Sequence, residues 1–138
     1  MAAARVLGGA LDTLTRHAGA GRVVVAGDFN DEPSDPAVEY LSEDGGAGRR
    51  PVNLMLPLQK KGEGTLFYDG RWWLFDQMMV SPQLAVQVRS AGILRFPFLF
   101  DREKTVIPWR TFAGLRYLGG FSDHLPVMLI LQERKGMR

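Results

Sequence analysis

Two short polar clusters stand directly beside apolar runs, and their residue types are those of hydrolytic sites. Gly27-Asp28-Phe29-Asn30 follows the β-branched run at residues 23–26, and Ser122-Asp123-His124 precedes the apolar run at residues 125–131. Carboxylates and histidine can accept or donate a proton during catalysis, and carboxylates also bind hard cations. Because strands hold the side chains at their ends rigidly, these clusters predict an active site built on a sheet.

A third feature is Asp76, which lies inside the aromatic and β-forming stretch at residues 72–81. Alternation along a strand places Asp76 on the same face as Leu74 and Met78. A lone carboxylate on an apolar face is costly to bury without a partner. His124 is the natural partner, since a carboxylate that holds an imidazole fixes its tautomer and orientation. We therefore predict an Asp76–His124 pair.

The elements that must position these residues follow from periodicity and turn signals. In the N-terminal half we expect an amphipathic helix at residues 3–17, a strand at 23–26 buried on both faces, and a helix at 36–42. A hairpin should follow, with strands at 65–68 and 72–81 joined at Asp69-Gly70. In the C-terminal half we expect a short strand at 84–88, a long irregular connection at 96–120 and a last strand at 125–131 that closes the sheet. This order predicts an α+β fold with helices covering a sheet.

Composition bounds the class without choosing a function. The chain has 138 residues, 46% hydrophobic and 23% charged, which suits one globular domain. Cysteine is absent, so disulfides and thiolate zinc sites are excluded. A net charge of +2 is compatible with an anionic substrate but does not indicate a nucleic-acid binder. No apolar run is long enough for a transmembrane segment and no signal peptide is recognised, which leaves the compartment open: cytoplasmic, or exported if a longer N-terminus exists.

Taken together, the three motifs resemble the endonuclease/exonuclease/phosphatase superfamily, whose fold is that of deoxyribonuclease I. The resemblance rests on Gly27-Asp28-Phe29-Asn30 after a strand, on Asp76 in a strand that ends at Val80-Ser81, and on the terminal Ser-Asp-His-Leu-Pro-Val at residues 122–127. Residues 108–114, followed by Gly119-Gly120-Phe121, look like a bacterial branch of the same superfamily. The resemblance to the superfamily covers nearly the whole chain, from about Ala4 to Leu131.

The resemblance implies half of a four-layer αββα sandwich, with a mostly antiparallel sheet and helices on one face. Two-sheet domains of this kind usually have roughly 200–250 residues. The family's N-terminal half supplies an asparagine, a metal-binding glutamate and a further histidine, none of which has a counterpart here. The expectation is therefore that residues 1–138 form a single, N-terminally truncated domain. Its uncovered sheet face would let two copies form a homodimer.

The resemblance also implies roles for individual residues. Asp28 would orient or deprotonate the attacking water, and Asn30 would hold both Asp28 and a phosphate oxygen. Asp123 would help to bind Mg²⁺ or Mn²⁺. His124, held by Asp76, would stabilise the charge that develops on the phosphoryl oxygens during in-line attack.

Arg110 lies between Trp109 and Thr111, near the Ser-Asp-His motif, and is a further candidate for binding a substrate phosphate. Simpler interpretations remain beside these roles. Asp28 and Asn30 are also typical of a capped turn, and the three tryptophans are more typical of packing than of base stacking.

The predicted function is hydrolysis of a phosphoester with a divalent metal ion. The substrate class stays open among nucleic acids, phosphorylated small molecules and lipids. The alternative, favoured by the missing glutamate, is a truncated and inactive chain that acts only as a binding or dimerising module.

Overall fold

The computed structural model describes residues 1–17, 21–42, 50–103 and 106–133. Its helices are α1 (Ala2–His17), α2 (Pro36–Ser42), α3 (Leu56–Gln59) and α4 (Pro82–Ala85), with a 3-10 helix at Pro97–Leu99. Its strands are β1 (Val24–Asp28), β2 (Val52–Asn53), β3 (Leu66–Tyr68), β4 (Arg71–Trp73), β5 (Asp76–Val80), β6 (Val88–Ile93), β7 (Phe112–Ala113), β8 (Arg116–Tyr117) and β9 (Val127–Leu131). All strand pairs are antiparallel, which confirms the α+β prediction.

The central sheet has three strands in the order β1-β5-β2. β1 and β5 pair in register from Val24 opposite Val80 to Asp28 opposite Asp76. Residues on β5 alternate between the two faces of this sheet, so Met79 lies on one face and Met78 on the other. This register places Asp28 and Asp76 side by side at one end of the strand pair.

Two apolar clusters cover opposite faces of this sheet. α1 and α2 cover one face, where Ala4, Leu11, Val38 and Leu41 pack with Met79. On the other face, Leu74 and Met78 pack with Met55 and Leu58 and with side chains of β6 and β9. The chain therefore forms three layers, of two helices, the central sheet and the β6–β9 pair, in which burial of apolar surface is the main stabilising contribution.

The expectation that residues 23–26 are buried on both faces is wrong. Val25 packs against the helical cluster, whereas Val24 lies on the opposite face of the strand and is 46% exposed. The strand also continues through Gly27 to Asp28. Asp28 is therefore the last residue of a strand, where its backbone is held by pairing with β5.

The hairpin predicted at Asp69-Gly70 is confirmed. Asp69 has φ +51° and Gly70 has φ +76°, as a two-residue type I′ turn requires, and β3 and β4 pair directly across it. The single strand expected at residues 72–81 is instead two, β4 and β5. The hydrogen bond from Thr65 N–H to Trp73 O extends the pairing by one residue before β3.

Three further expectations about the C-terminal half need correction. In place of the strand expected at residues 84–88, α4 ends at Ala85, a turn follows at residues 86–87, and β6 begins only at Val88. The segment expected to be irregular, residues 96–120, contains the β7–β8 hairpin, turned at Gly114 with φ +58°. The last strand, β9, pairs with β6 in a separate sheet and does not close the central one. Within the described residues, none of the helices is long and apolar enough to cross a membrane.

Candidate active site

The first half of the site lies at the end of the β1–β5 pair. Asp28 and Asp76 are direct cross-strand neighbours, which places their Cβ atoms about 4.5–5.5 Å apart on one face. Just beyond β1, Asn30 takes a positive φ of +51°, which asparagine tolerates better than most residues. Its backbone N–H donates to Asp28 Oδ1 at 2.9 Å. The loop therefore folds back on Asp28 and fixes its carboxylate, while the residue stays exposed to water.

The predicted Asp76–His124 pair forms. His124 Nδ1 lies 2.7 Å from Asp76 Oδ2, and both side chains are about one-fifth exposed, at 22% and 19%. Since a carboxylate accepts hydrogen bonds, His124 donates Nδ1–H and presents Nε2 away from the pair. A nitrogen presented in this way can contact a substrate oxygen or transfer a proton.

Thr65 connects the two sides of this pair and was not predicted as a site residue. Its side-chain hydroxyl donates to Asp76 Oδ2 at 2.5 Å, and its carbonyl accepts the Leu125 N–H at 2.8 Å. Leu66, next to it, forms a backbone bridge with His124. Thr65 is fully buried, so these bonds are shielded from water. The β3–β4 hairpin thereby brings the His124 loop to Asp76. In the sequence, the only indication of this role for Thr65 was its position at the start of a predicted strand.

The Ser122–His124 loop also has internal support. The His124 N–H donates to Ser122 Oγ at 3.0 Å, a local bond typical of serine in turns. Beside this loop, Arg110 Nη2 lies 3.6 Å from Asp123 Oδ2, and these side chains are 36% and 52% exposed. Arg110 therefore lies near this loop, as expected, and its guanidinium contacts Asp123.

A buried amide pair behind Asp28 was likewise not predicted. Gln77 is fully buried, and its Nε2 donates to Asp31 O at 3.0 Å and to Leu74 O at 2.7 Å. Its Oε1 accepts from Asn53 Nδ2 at 3.1 Å. The carbonyl at Asp31 is thus tied to the central strand, which holds the loop that follows Asp28. A glutamine in a strand is not by itself a signal for such a role.

The oxygen donors of this region have the chemistry that Mg²⁺ and Mn²⁺ prefer, because both are hard cations bound by carboxylate and carbonyl oxygens. Asp123 is half-exposed and could supply one such ligand. Among the described residues, however, no three His, Cys, Asp or Glu side chains form a group that could hold a metal ion. Asp123 therefore has the chemistry of a single metal ligand, and the described side chains do not by themselves make up a metal site.

The fold and the site define an α+β protein that presents two carboxylates and an oriented imidazole at one end of an antiparallel strand pair. The model of the endonuclease/exonuclease/phosphatase family matches residues 1–133, so the chain belongs to that family. Its members are generally metal-dependent hydrolases of phosphoesters. Searches of curated proteins and of solved structures gave no match, so the family is the level at which the comparisons identify the chain.

Proposed function

We propose that this chain hydrolyses a phosphoester by in-line attack of water, with a divalent metal ion as cofactor. The observation that carries the proposal is the Asp28–Asp76–His124 arrangement. A carboxylate open to water adjoins a carboxylate that orients an imidazole at 2.7 Å. A phosphodiester repels anionic nucleophiles, so its hydrolysis needs a positioned base together with groups that stabilise negative charge.

In this proposal Asp28 orients the attacking water and accepts its proton. Its carboxylate is prepared for that role, because the Asn30 N–H holds Oδ1 and backbone pairing with Asp76 holds the strand. The Asn30 side chain would bind a phosphate oxygen. These two residues lie on one short turn, so they would act on the same phosphate group.

His124 would place Nε2 against a phosphoryl oxygen and stabilise the charge that develops there. Asp76 is a positioning residue in this scheme, since it acts through the imidazole. Arg110 would bind a further phosphate oxygen from its place beside Asp123. Asp123 would contribute to binding Mg²⁺ or Mn²⁺, which when bound would supply positive charge to offset that of the phosphoryl group.

The test is hydrolysis of bis-p-nitrophenyl phosphate by the full chain in Mg²⁺, in Mn²⁺ and in EDTA. We expect metal-dependent turnover that falls about 100-fold or more in Asp28→Asn and in His124→Ala, since a general base or acid typically contributes about 10²–10⁴-fold. Asp12→Asn, the same chemical change on an exposed part of α1, is the matched control and should retain the rate. Near wild-type turnover in either site variant would exclude these roles.

The second candidate is a binding module without catalytic activity. It is favoured by the finding that the described residues contain no group of three metal-binding side chains. Its signature would be a folded wild-type chain that shows no turnover in either metal. In that case the Asp76–His124 pair would be a feature of the fold without catalysis by this chain.

A further inference from the structure

A groove of about 780 Å³ lies beside the candidate active site and has no role in the chemistry described above. Its lining is mainly aromatic and basic and includes Arg95, Phe98, Arg102, Trp109 and Phe121, together with the acidic Asp101. This volume lies within the roughly 300–1,000 Å³ that ligand sites usually occupy. Phe121 directly precedes the Ser122–His124 loop, so the chain connects one wall of the groove directly to that loop.

The rings in and beside this groove form a connected row. Trp109 and Phe121 meet edge to face at 5.9 Å between centroids, and Phe121 meets Phe98 in the same way at 6.0 Å. Phe96 then stacks on Phe98 at 5.6 Å, with their planes only 6° apart. The four rings therefore form one continuous row, in which Phe121 is the ring that adjoins the active-site loop in sequence.

The phenylalanine rings of the row are open to solvent, whereas the Trp109 ring is packed. Phe98 and Phe121 are each 60% exposed. Trp109 is half-buried, and its indole N–H donates to Leu118 O at 3.2 Å. This agrees with the expectation that the tryptophans mainly pack. Exposed phenylalanine rings next to a concave site leave apolar faces that a flat ligand can cover.

The arginines of the groove are placed on aromatic surfaces. Arg102 lies over the Trp109 ring at 5.6 Å, and Arg95 lies over Trp72 at 4.3 Å. Arg95 Nη2 also donates to Gly64 O at 3.0 Å, which fixes the guanidinium near the hairpin. Rings interleaved with arginines are the combination by which proteins bind single strands, because the rings stack on bases and the cations attract the backbone.

We propose that this groove is a subsite for single-stranded nucleic acid, in which Phe98 and Phe121 stack on nucleobases next to the scissile phosphate. The assignment of the scissile position rests on the function proposed above. The binding itself does not, since stacking needs neither metal nor hydrolysis. A phospholipid surface fits less well, because the rings line a concave groove whereas a membrane is met by a protruding surface.

The test is fluorescence anisotropy with a labelled oligothymidylate, in EDTA so that no hydrolysis occurs. The comparison ligand is an abasic phosphodiester chain of the same length and charge. We expect the oligothymidylate to bind more tightly. The variants Phe98→Ala and Phe121→Ala should each weaken its binding about 5- to 100-fold and leave binding of the abasic chain nearly unchanged. Both side chains are exposed, so neither truncation should unfold the chain.

Two further variants make the test specific. Phe121→Trp keeps a stacking ring and should restore binding, whereas Phe112→Ala removes an exposed ring of the β7–β8 hairpin outside the groove and should have no effect. Equal affinity for the two ligands, or an equal loss in Phe112→Ala, would overturn the proposal. Binding to phosphatidylserine vesicles that is lost in Phe98→Ala would also overturn it and favour a lipid.

The binding test and the hydrolysis test can succeed or fail independently of each other. Base-dependent binding by a chain that does not hydrolyse bis-p-nitrophenyl phosphate would support the subsite and exclude catalysis. Metal-dependent hydrolysis by a chain that binds both ligands equally would support catalysis and exclude the subsite.

Discussion

Replacing Thr65 with valine should both destabilise the fold and disturb the site. Valine has nearly the same shape but lacks the hydroxyl that donates to Asp76 Oδ2. Thr65 is fully buried, so water cannot replace the lost donor without a rearrangement. Asp76 would retain His124 as a partner but would lose the second hydrogen bond to the same oxygen, Oδ2.

The magnitude follows from the kind of bond. A hydrogen bond to a charged group contributes about 1.5–3 kcal/mol net, so the free energy of unfolding should fall by that amount. For a chain of this size, each kcal/mol lowers Tm by roughly 3–5 °C, so the expected decrease is roughly 5–15 °C. Thr65→Ser retains the hydroxyl and should lose much less, since it removes only a methyl group.

The assay is urea unfolding of Thr65→Val, Thr65→Ser and Asp76→Asn, together with the Thr65→Val/Asp76→Asn double variant. Because the two side chains are in contact, the double-variant cycle should give a coupling of about 1–3 kcal/mol. Additive losses, or equal losses in the valine and serine variants, would refute the claim that the hydroxyl holds Asp76. Turnover of bis-p-nitrophenyl phosphate gives a second reading, since Thr65→Val should lower kcat through His124.

Two other substitutions test the supports of the site. Gln77→Met removes the partner of the half-buried Asn53 amide and of the Asp31 and Leu74 carbonyls, at about 1–3 kcal/mol for each group left unsatisfied, so urea unfolding should show a loss. Hydrogen exchange should be faster at the Asp35 amide, which binds Glu32 O in the loop that Gln77 anchors. Unchanged exchange there would contradict an anchoring role. Gly120→Ala would place a Cβ 2.1 Å from Trp109 O and so disrupt the backbone hydrogen bond from Phe121 N–H to Trp109 O. We expect this variant to have a lower Tm and an altered near-ultraviolet circular dichroism spectrum. Gly92→Ala is the control and should show neither change, because its Cβ would meet nothing within 4 Å.

The parts of the fold that were predictable are those whose signals are local. The periodicity of α1, the proline at the start of α2 and the Asp69-Gly70 turn each specify a short segment by steric and hydrogen-bonding rules. Asp76 and His124 were also paired correctly, because a carboxylate on an apolar face needs a partner and few candidates were available.

The errors arose where tertiary context decides. The run at residues 23–26 has the composition of a strand buried on both faces, but burial depends on which layers cover it, and among the described residues only the helical face is covered. Likewise, β9 pairs with β6 and not with the central sheet, a choice between edges that alternation cannot distinguish. The short helices α3 and α4 are too brief to produce a helical period.

The candidate site depends on contacts between segments far apart in the chain. Asp28 and Asp76 come together by strand register. His124 is held at Asp76 by the hairpin, because Thr65 binds the Leu125 N–H with its carbonyl and Asp76 with its hydroxyl, and Leu66 bridges to His124. The imidazole is thus held by the β3–β4 hairpin and the carboxylates by the central sheet. Since both must be in place for the proposed chemistry, hydrolysis as proposed here requires an intact β3–β4 hairpin, although that hairpin carries no proposed catalytic residue.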